Sequence, residues 1–369
     1  MVIVSRSDGR PLHRLPPAVH PVGRPSPRLG RETPPIPAPA HKREVGRGER
    51  TLPGVWRLRL PLPWPGVPHV NAWAVARGDG VVLFDTGMHE PGSLAQLERA
   101  MNQVNLKLEH VRLLVCTHAH SDHYGQAAAI VERAGCELWM HPSHQHQTEL
   151  GGDPEAALSR RIEVARQSGV PAAPLAAYRE AATGRGTGLK GIVLPDRELV
   201  DGTTVSTDLG DWVVHETPGH APSHVCLHQP ERRLLISGDH LLGRVSIYYE
   251  HGWSPDPVGE FLASLDRIEA LDVRLCLSGH GRTFTDVDAH IETNRALVAE
   301  RIDRHLTVVG DVDVTAFEAV ALVHDEPITE LNASWWLSET LCYLEHLEVT
   351  GRARRLPVEG DEPERWTAV

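Results

Sequence analysis

Residues 117–125 read Thr-His-Ala-His-Ser-Asp-His-Tyr-Gly, with three imidazoles and a carboxylate inside six residues. His118 and His120 are two apart, so an extended backbone turns both rings to one side. Asp122 falls at the N-cap position of a following helix and His123 in its first turn, both aimed back at the same space. Four such groups are costly to desolvate together unless something satisfies them, and two divalent metal ions would. The bland alternative is a solvated polar loop that happens to be rich in histidine.

A binuclear site needs more ligands, and strand ends further along the chain offer them. Thr217-Pro218-Gly219-His220 puts a histidine in a tight turn, Ser237-Gly238-Asp239-His240 an aspartate, and Leu277-Ser278-Gly279-His280-Gly281 another histidine. Each has a glycine just before it, which permits tight turns and close backbone approach. Upstream, Phe84-Asp85-Thr86-Gly87 ends a strand in a carboxylate.

In this order and spacing, the five elements over roughly residues 55–290 resemble the metallo-β-lactamase superfamily, in its glyoxalase II-like branch. The resemblance implies that His118, His120 and His220 bind one metal, that Asp122, His123 and His280 bind the second, and that Asp239 bridges both. It assigns Asp122 and Asp85 to the reaction, Asp85 by hydrogen bonds that hold the histidine loop. Histidine at 120 argues against the flavodiiron proteins, which carry glutamate there. Histidine at 220 and aspartate at 239 argue against the secreted antibiotic-hydrolysing enzymes.

Such a pair of ions would lower the pKa of a bridging water toward neutrality and give a metal-bound hydroxide at pH 7, the nucleophile of a hydrolase. The nitrogen-rich donor set suits zinc, with iron or manganese as alternatives decided by availability. Three functions follow: hydrolysis of a thioester, ester or lactone carbonyl in a small acyl substrate, cleavage of RNA, and regulation through DNA contacts of a C-terminal module. Tyr124, Tyr248, Tyr249 and Trp253 are candidates to line a substrate pocket, with ordinary packing as the alternative. His141, His144 and His146 read as solvated or supporting groups, and His224 and His240 as buried hydrogen-bonding partners of the ligands.

These side chains need strands and helices to place them. Alternating or apolar runs predict strands at 55–60, 70–75, 80–85, 111–116, 136–141, 204–206, 212–217, 223–229, 233–237 and 273–278. Helices are expected at 92–104, 126–133 and 257–271. Two runs of strands separated near residue 196 predict an α/β fold, an αββα sandwich of two packed mixed sheets with outer helices. Residues 142–196 read as a helical insertion, rich in alanine, that would lower an apolar wall over the site. The catalytic domain is expected over 51–288. Residues 289–369 follow as a small helical, winged-helix-like module with Leu337, Leu341, Leu344 and Leu347 at helical spacing and a short hairpin at 352–356.

Bulk properties narrow the function classes. At 369 residues the chain is long enough for one large domain and a smaller one. Residues 1–50 carry ten Lys/Arg against four Asp/Glu and ten of the 29 prolines, so they are expected to be a disordered tail. A basic RNA- or membrane-contacting arm and an overextended translation start are the alternatives for that segment. The net charge of −12 therefore leaves −18 on the remainder, and residues 291–369 alone carry −9. That sign argues against a nucleic-acid partner and for a module that packs, dimerises or closes the site. No apolar run approaches the roughly 18–20 residues of a membrane span, and the first residues lack the apolar core of a secretory signal. Five scattered cysteines without a CxxC pair fit buried free thiols in a reducing compartment, the cytoplasm.

Overall fold

The computed structural model describes residues 45–64, 66–329 and 332–369. Seven strands run in chain order across the first sheet: β1 (Arg47–Leu52), β2 (Val55–Pro61), β3 (His69–Arg77), β4 (Gly80–Phe84), β5 (Val111–Val115), β6 (Glu137–Met140) and β7 (Arg197–Glu198). The β1 to β4 pairs are antiparallel, and β4 through β7 pair in parallel. The parallel half needs crossovers. Helix α1 (Ser93–Asn102) supplies the first, and the short α2 (Ser121–Tyr124) with α3 (Ala127–Ala134) the second. The last is long, holding α4 (Gln145–Gly152), α5 (Pro154–Gln167) and α6 (Ala172–Ala182).

The second sheet comprises β8 (Thr204–Thr207), β9 (Gly210–Glu216), β10 (Val225–Gln229), β11 (Leu234–Gly238) and β12 (Leu275–Ser278), in the order β12-β11-β10-β9-β8. Its strands are antiparallel except β11 and β12, which are parallel across the crossover helix α7 (Pro257–Glu269). Asp256 caps α7 by accepting from the Gly259 amide at 2.9 Å, and Pro257 sits where a missing N–H costs nothing. Beyond it come α8 (Val287–Asp311), α9 (Ala316–Val323), α10 (Ala333–Val349) and a hairpin of β13 (Ala353–Arg355) and β14 (Trp366–Ala368).

Three apolar cores make the αββα sandwich. Trp73, Phe84, Val115, Trp212, Leu227, Ile236 and Leu277 meet between the sheets. Leu83, Leu97, Met101, Leu114 and Ile130 join the first sheet to α1 and α3. Cys226, Leu235, Phe261, Ile291, Val298, Leu344 and Trp366 join the second sheet to α7, the C-terminal helices and the hairpin. Strands covered on both faces cannot alternate in polarity, which is why β4 reads as a continuous apolar run from Val81 to Phe84.

Two expectations need correction. Residues 47–50, counted with the disordered tail, belong to β1, whose Arg47 to Arg50 pair with Arg59 to Trp56; residues 1–44 lie outside the described residues. The alanine-rich part of the insertion is not a wall over the site, because α6 buries none of its residues. What reaches inward is α4, through His146, Gln147 and Thr148. Among the described residues no helix is long and apolar enough to cross a membrane.

Candidate metal centre

Every expected ligand emerges beyond the end of a strand, at β5, β9, β11 and β12, and Asp85 does so at β4. Packing the two sheets brings these ends together. His118, His120 and His220 offer ligand atoms within 4.8 Å of one another, and so do Asp122, His123, Asp239 and His280. Asp239 touches both groups: Oδ2 is 3.7 Å from His220 Nε2 and 3.1 Å from His280 Nε2, and Oδ1 is 3.3 Å from His123 Nε2. Asp122 Oδ2 lies 3.1 Å from His280 Nε2.

The orientation of each ring follows from what holds its other nitrogen. His123 Nδ1 donates to Asp85 Oδ2 at 2.9 Å, His280 Nδ1 to the His69 carbonyl at 2.9 Å, and His220 Nδ1 to the Tyr248 carbonyl at 3.1 Å. His118 Nδ1 lies 3.1 Å from the Thr117 hydroxyl, which itself bonds Asp85. His120 is reversed: its Nε2 lies 3.0 Å from Glu250 Oε2, and its Nδ1 faces His220 Nε2 at 3.0 Å. Five imidazoles are therefore anchored through one nitrogen, with the other aimed inward. His118 Nε2, His123 Nε2 and Asp239 Oδ1 are buried without a hydrogen-bond partner among the described residues. Orphaned buried acceptors of this kind are the signature that divalent cations fit.

Backbone geometry supports the cluster. Asp85 takes a positive φ of 65° and accepts from the Thr117 amide at 2.8 Å, so strain at one residue locks the start of the histidine loop. A Cβ on Gly279 would lie 2.2 Å from Asp239 Oδ1, so only glycine lets the β12 turn come this close. Asn71, in β3, donates its amide to the Gly279 carbonyl at 2.7 Å and its side chain to the Ser278 carbonyl at 2.9 Å, clamping the same turn.

Electrostatics describe an anionic pit lined with nitrogen. Burial and the neighbouring imidazoles hold His118 well below its ordinary range, and burial with His120 takes His220 down to about 3. For His280 burial lowers the pKa, but Asp239 and Asp122 outweigh it and push it up to about 10. His123 is raised likewise by Asp239, Asp122 and Asp85 against burial. For Asp239, burial is outweighed by His280 and His123, which keep its carboxyl well below the usual carboxylate range. The carboxylates of Asp239, Asp122 and Asp85 thus concentrate negative charge around His123 and His280, an environment that favours a cation.

The aromatic candidates divide. The Tyr248 ring is 6.1 Å from His120 and 5.8 Å from His220, and Trp253, 39% exposed, is 6.2 Å from His146. Trp253 also lines a cavity of about 270 Å³ with His141, Glu216 and His224, whose wall includes Pro218 and Pro222 on either side of His220. Tyr124 and Tyr249 are not substrate contacts. Tyr124 is fully buried, and its hydroxyl donates to the Val193 carbonyl at 2.7 Å, pinning the end of the insertion. Tyr249 is fully buried between Phe261 and Tyr343. Of the supporting histidines, His224 accepts the Asp239 amide at 3.0 Å.

Sequence reasoning passed over Glu250, Ser223 and Asn71. Glu250 lies in an irregular stretch with no spacing rule, and Asn71 is an ordinary residue in a strand.

Residues 65–280, more than half the chain, match the family model described as the metallo-beta-lactamase superfamily, and the chain belongs to that superfamily. A probable metallo-hydrolase, YqjP of Bacillus subtilis, is 26% identical over 314 residues, covering 81% of this chain and 93% of the relative. The crystal structure of a metallo-beta-lactamase family protein from Thermus thermophilus aligns with a TM-score of 0.73 and 26% identity, over 86% of this chain and 99% of that one. A beta-lactamase domain protein from Burkholderia ambifaria aligns with a TM-score of 0.71 and 25% identity, over 87% and 93%.

Proposed function

We propose that the protein is a binuclear metal-dependent hydrolase of the glyoxalase II-like branch, acting on a thioester, ester or lactone carbonyl of a small acyl substrate. The observation that carries this reading is the direction of the five imidazoles, each held through one nitrogen and open at the other toward two clusters, with Asp239 of the second reaching His220 of the first. His118, His120 and His220 would hold one divalent ion, Asp122, His123 and His280 the other, and Asp239 both. Bound ions of this kind polarise a carbonyl oxygen and lower the pKa of water to near neutrality. The chain supplies the rest. Asp85 fixes His123, Tyr248 walls the His120–His220 side, and the cavity beside Trp253 gives room for an acyl group. Nitrogen donors favour zinc. Relatives named metallo-hydrolase support the class. The C-terminal module, winged-helix-like in this reading, carries −9 and so serves the site rather than a nucleic acid. All five cysteines are free and buried, which suits a cytoplasmic enzyme.

The test is elemental analysis of full-length protein purified without chelators, followed by rates on a panel of thioesters, esters, lactones and single-stranded RNA. About two ions per chain, mostly zinc, and turnover of a carbonyl substrate are expected. Protein free of transition metal would sink the proposal, and metal-dependent RNA cleavage without carbonyl turnover would reverse the substrate class.

A further inference from the structure

Glu250 sits between β11 and α7 with its side chain only 16% exposed, and its Oε2 meets two imidazoles: His120 Nε2 at 3.0 Å and His146 Nδ1 at 2.6 Å. His146 projects from α4, 3% exposed, and its Nε2 lies 2.8 Å from the Ser223 hydroxyl. That hydroxyl oxygen accepts the amide of Ala119, between the first two ligands, at 3.0 Å. With Glu250 ionised, one proton assignment fits the hydrogen bonds of Ser223 and the one between His120 and Glu250. The Ala119 amide donates to Ser223, the Ser223 hydroxyl donates to His146 Nε2, and the His146 ring proton on Nδ1 faces the carboxylate. The carboxylate accepts from His120 Nε2–H, which leaves the lone pair on His120 Nδ1, toward His220.

These three groups could instead be read as a third cation site. Spacing decides against it. Donors on one tetrahedral ion with bonds of about 2.0–2.1 Å lie about 3.3 Å apart. His146 Nδ1 and Glu250 Oε2, 2.6 Å apart, stand closer than two donors on one such ion would.

The loop that presents Glu250 is itself clamped. In α10, the Ser338 hydroxyl donates to the Tyr249 carbonyl at 2.9 Å and accepts the His251 amide at 3.1 Å, so the residues on both sides of Glu250 are fixed by one side chain. His251 Nε2 is also 3.0 Å from Glu345, and His346 Nδ1 is 2.9 Å from Asp256.

We propose that Glu250 is a positioning residue that holds His120 in the tautomer presenting Nδ1 to the metal cluster, with His146 as its brace and α10 as its support. The inference rests on the metal-binding reading above. Its test titrates zinc into chelator-stripped full-length protein and reads the imidazole nitrogens of isotope-labelled histidine by NMR. The wild type should bind zinc at both clusters, with His120 ligating through Nδ1 and keeping its proton on Nε2 while the other four ligate through Nε2. Glu250→Ala should weaken one of the two zinc steps by roughly 10- to 100-fold and abolish the His120 Nε2–H signature. Glu250→Gln should restore most of both, because an amide oxygen accepts the same proton. If Glu250→Ala does not fold, His146→Ala, which removes the brace and keeps the carboxylate, should weaken the same step by less, and an unchanged step would overturn the proposal. Wild-type protein that binds no zinc would remove the metal reading itself. Wild type that binds zinc at both clusters, with Glu250→Ala indistinguishable from it, would overturn this inference alone. So would a third zinc equivalent lost in Glu250→Ala while the other two persist.

Discussion

Asp239 carries more of the centre than any other single side chain. Its two oxygens approach His123, His220 and His280 from between the clusters, whereas His280 contacts only the group containing Asp122. Asp239→Ala should therefore empty both sites, and His280→Ala mainly one, leaving about one ion where the wild type holds about two. Metal content by elemental analysis, with thermal unfolding as a check on folding, distinguishes them. Equal loss in the two variants would contradict the bridging role. The reason is geometric: a carboxylate has two oxygens to share, and an imidazole already held at Nδ1 has one nitrogen left.

At the scale of elements, the long β6–β7 connection divides into a part that touches the site and a part that does not. Helix α4 brings His146 to Glu250, and Tyr124 fastens Val193 at the far end of the connection. Helix α6 buries nothing. Replacing residues 172–182 with a short polar linker should leave metal content unchanged and the melting temperature nearly so. Loss of an ion on that replacement would mean that α6 supports the site through α5. The helical character of this segment was legible in its alanine content, but its inward face was not. Burial depends on which helix the sheet edge admits, and no local pattern encodes that.

For the molecule as a whole, the boundaries that matter are the ones the cores draw. Glycines in and just before β1 pack tightly on α1, where a Cβ on Gly48 would lie 2.0 Å from the Ala100 carbonyl oxygen, and the Gly46 amide donates to Gln96 at 2.8 Å. Removing residues 1–44 should leave the melting temperature and metal content of the remainder unchanged. Removing 1–53, which takes β1 away and bares the edge of β2, should lower the melting temperature and promote association through the freed edge. Calorimetry and light scattering on the two truncations test this, and identical behaviour would show that β1 adds nothing. The third core makes the C-terminal helices continuous with the second sheet, since Leu235 and Phe261 share it with Val298 and Leu344. That continuity is how α10 comes to hold the loop on which Glu250 stands.

The sequence by itself determined which histidines and aspartates follow the strand ends and the order in which the strands bring them. Those residues follow apolar runs, and a run that ends in a glycine turn projects its next polar side chain at the sheet edge whatever the distant chain does. The edge strands of the first sheet were beyond it: β1 is mostly polar, and β7 has two residues, so neither shows a periodicity to read. The tertiary structure alone decided which neighbour in a pair faces the site, as with Tyr248 against Tyr249, since irregular backbone has no fixed side-chain period. It also decided the partner of His120, a glutamate 130 residues away, and the brace of that glutamate on α4. Contacts of such separation arise only when two sheets and the C-terminal helices pack, and no local spacing rule survives that distance.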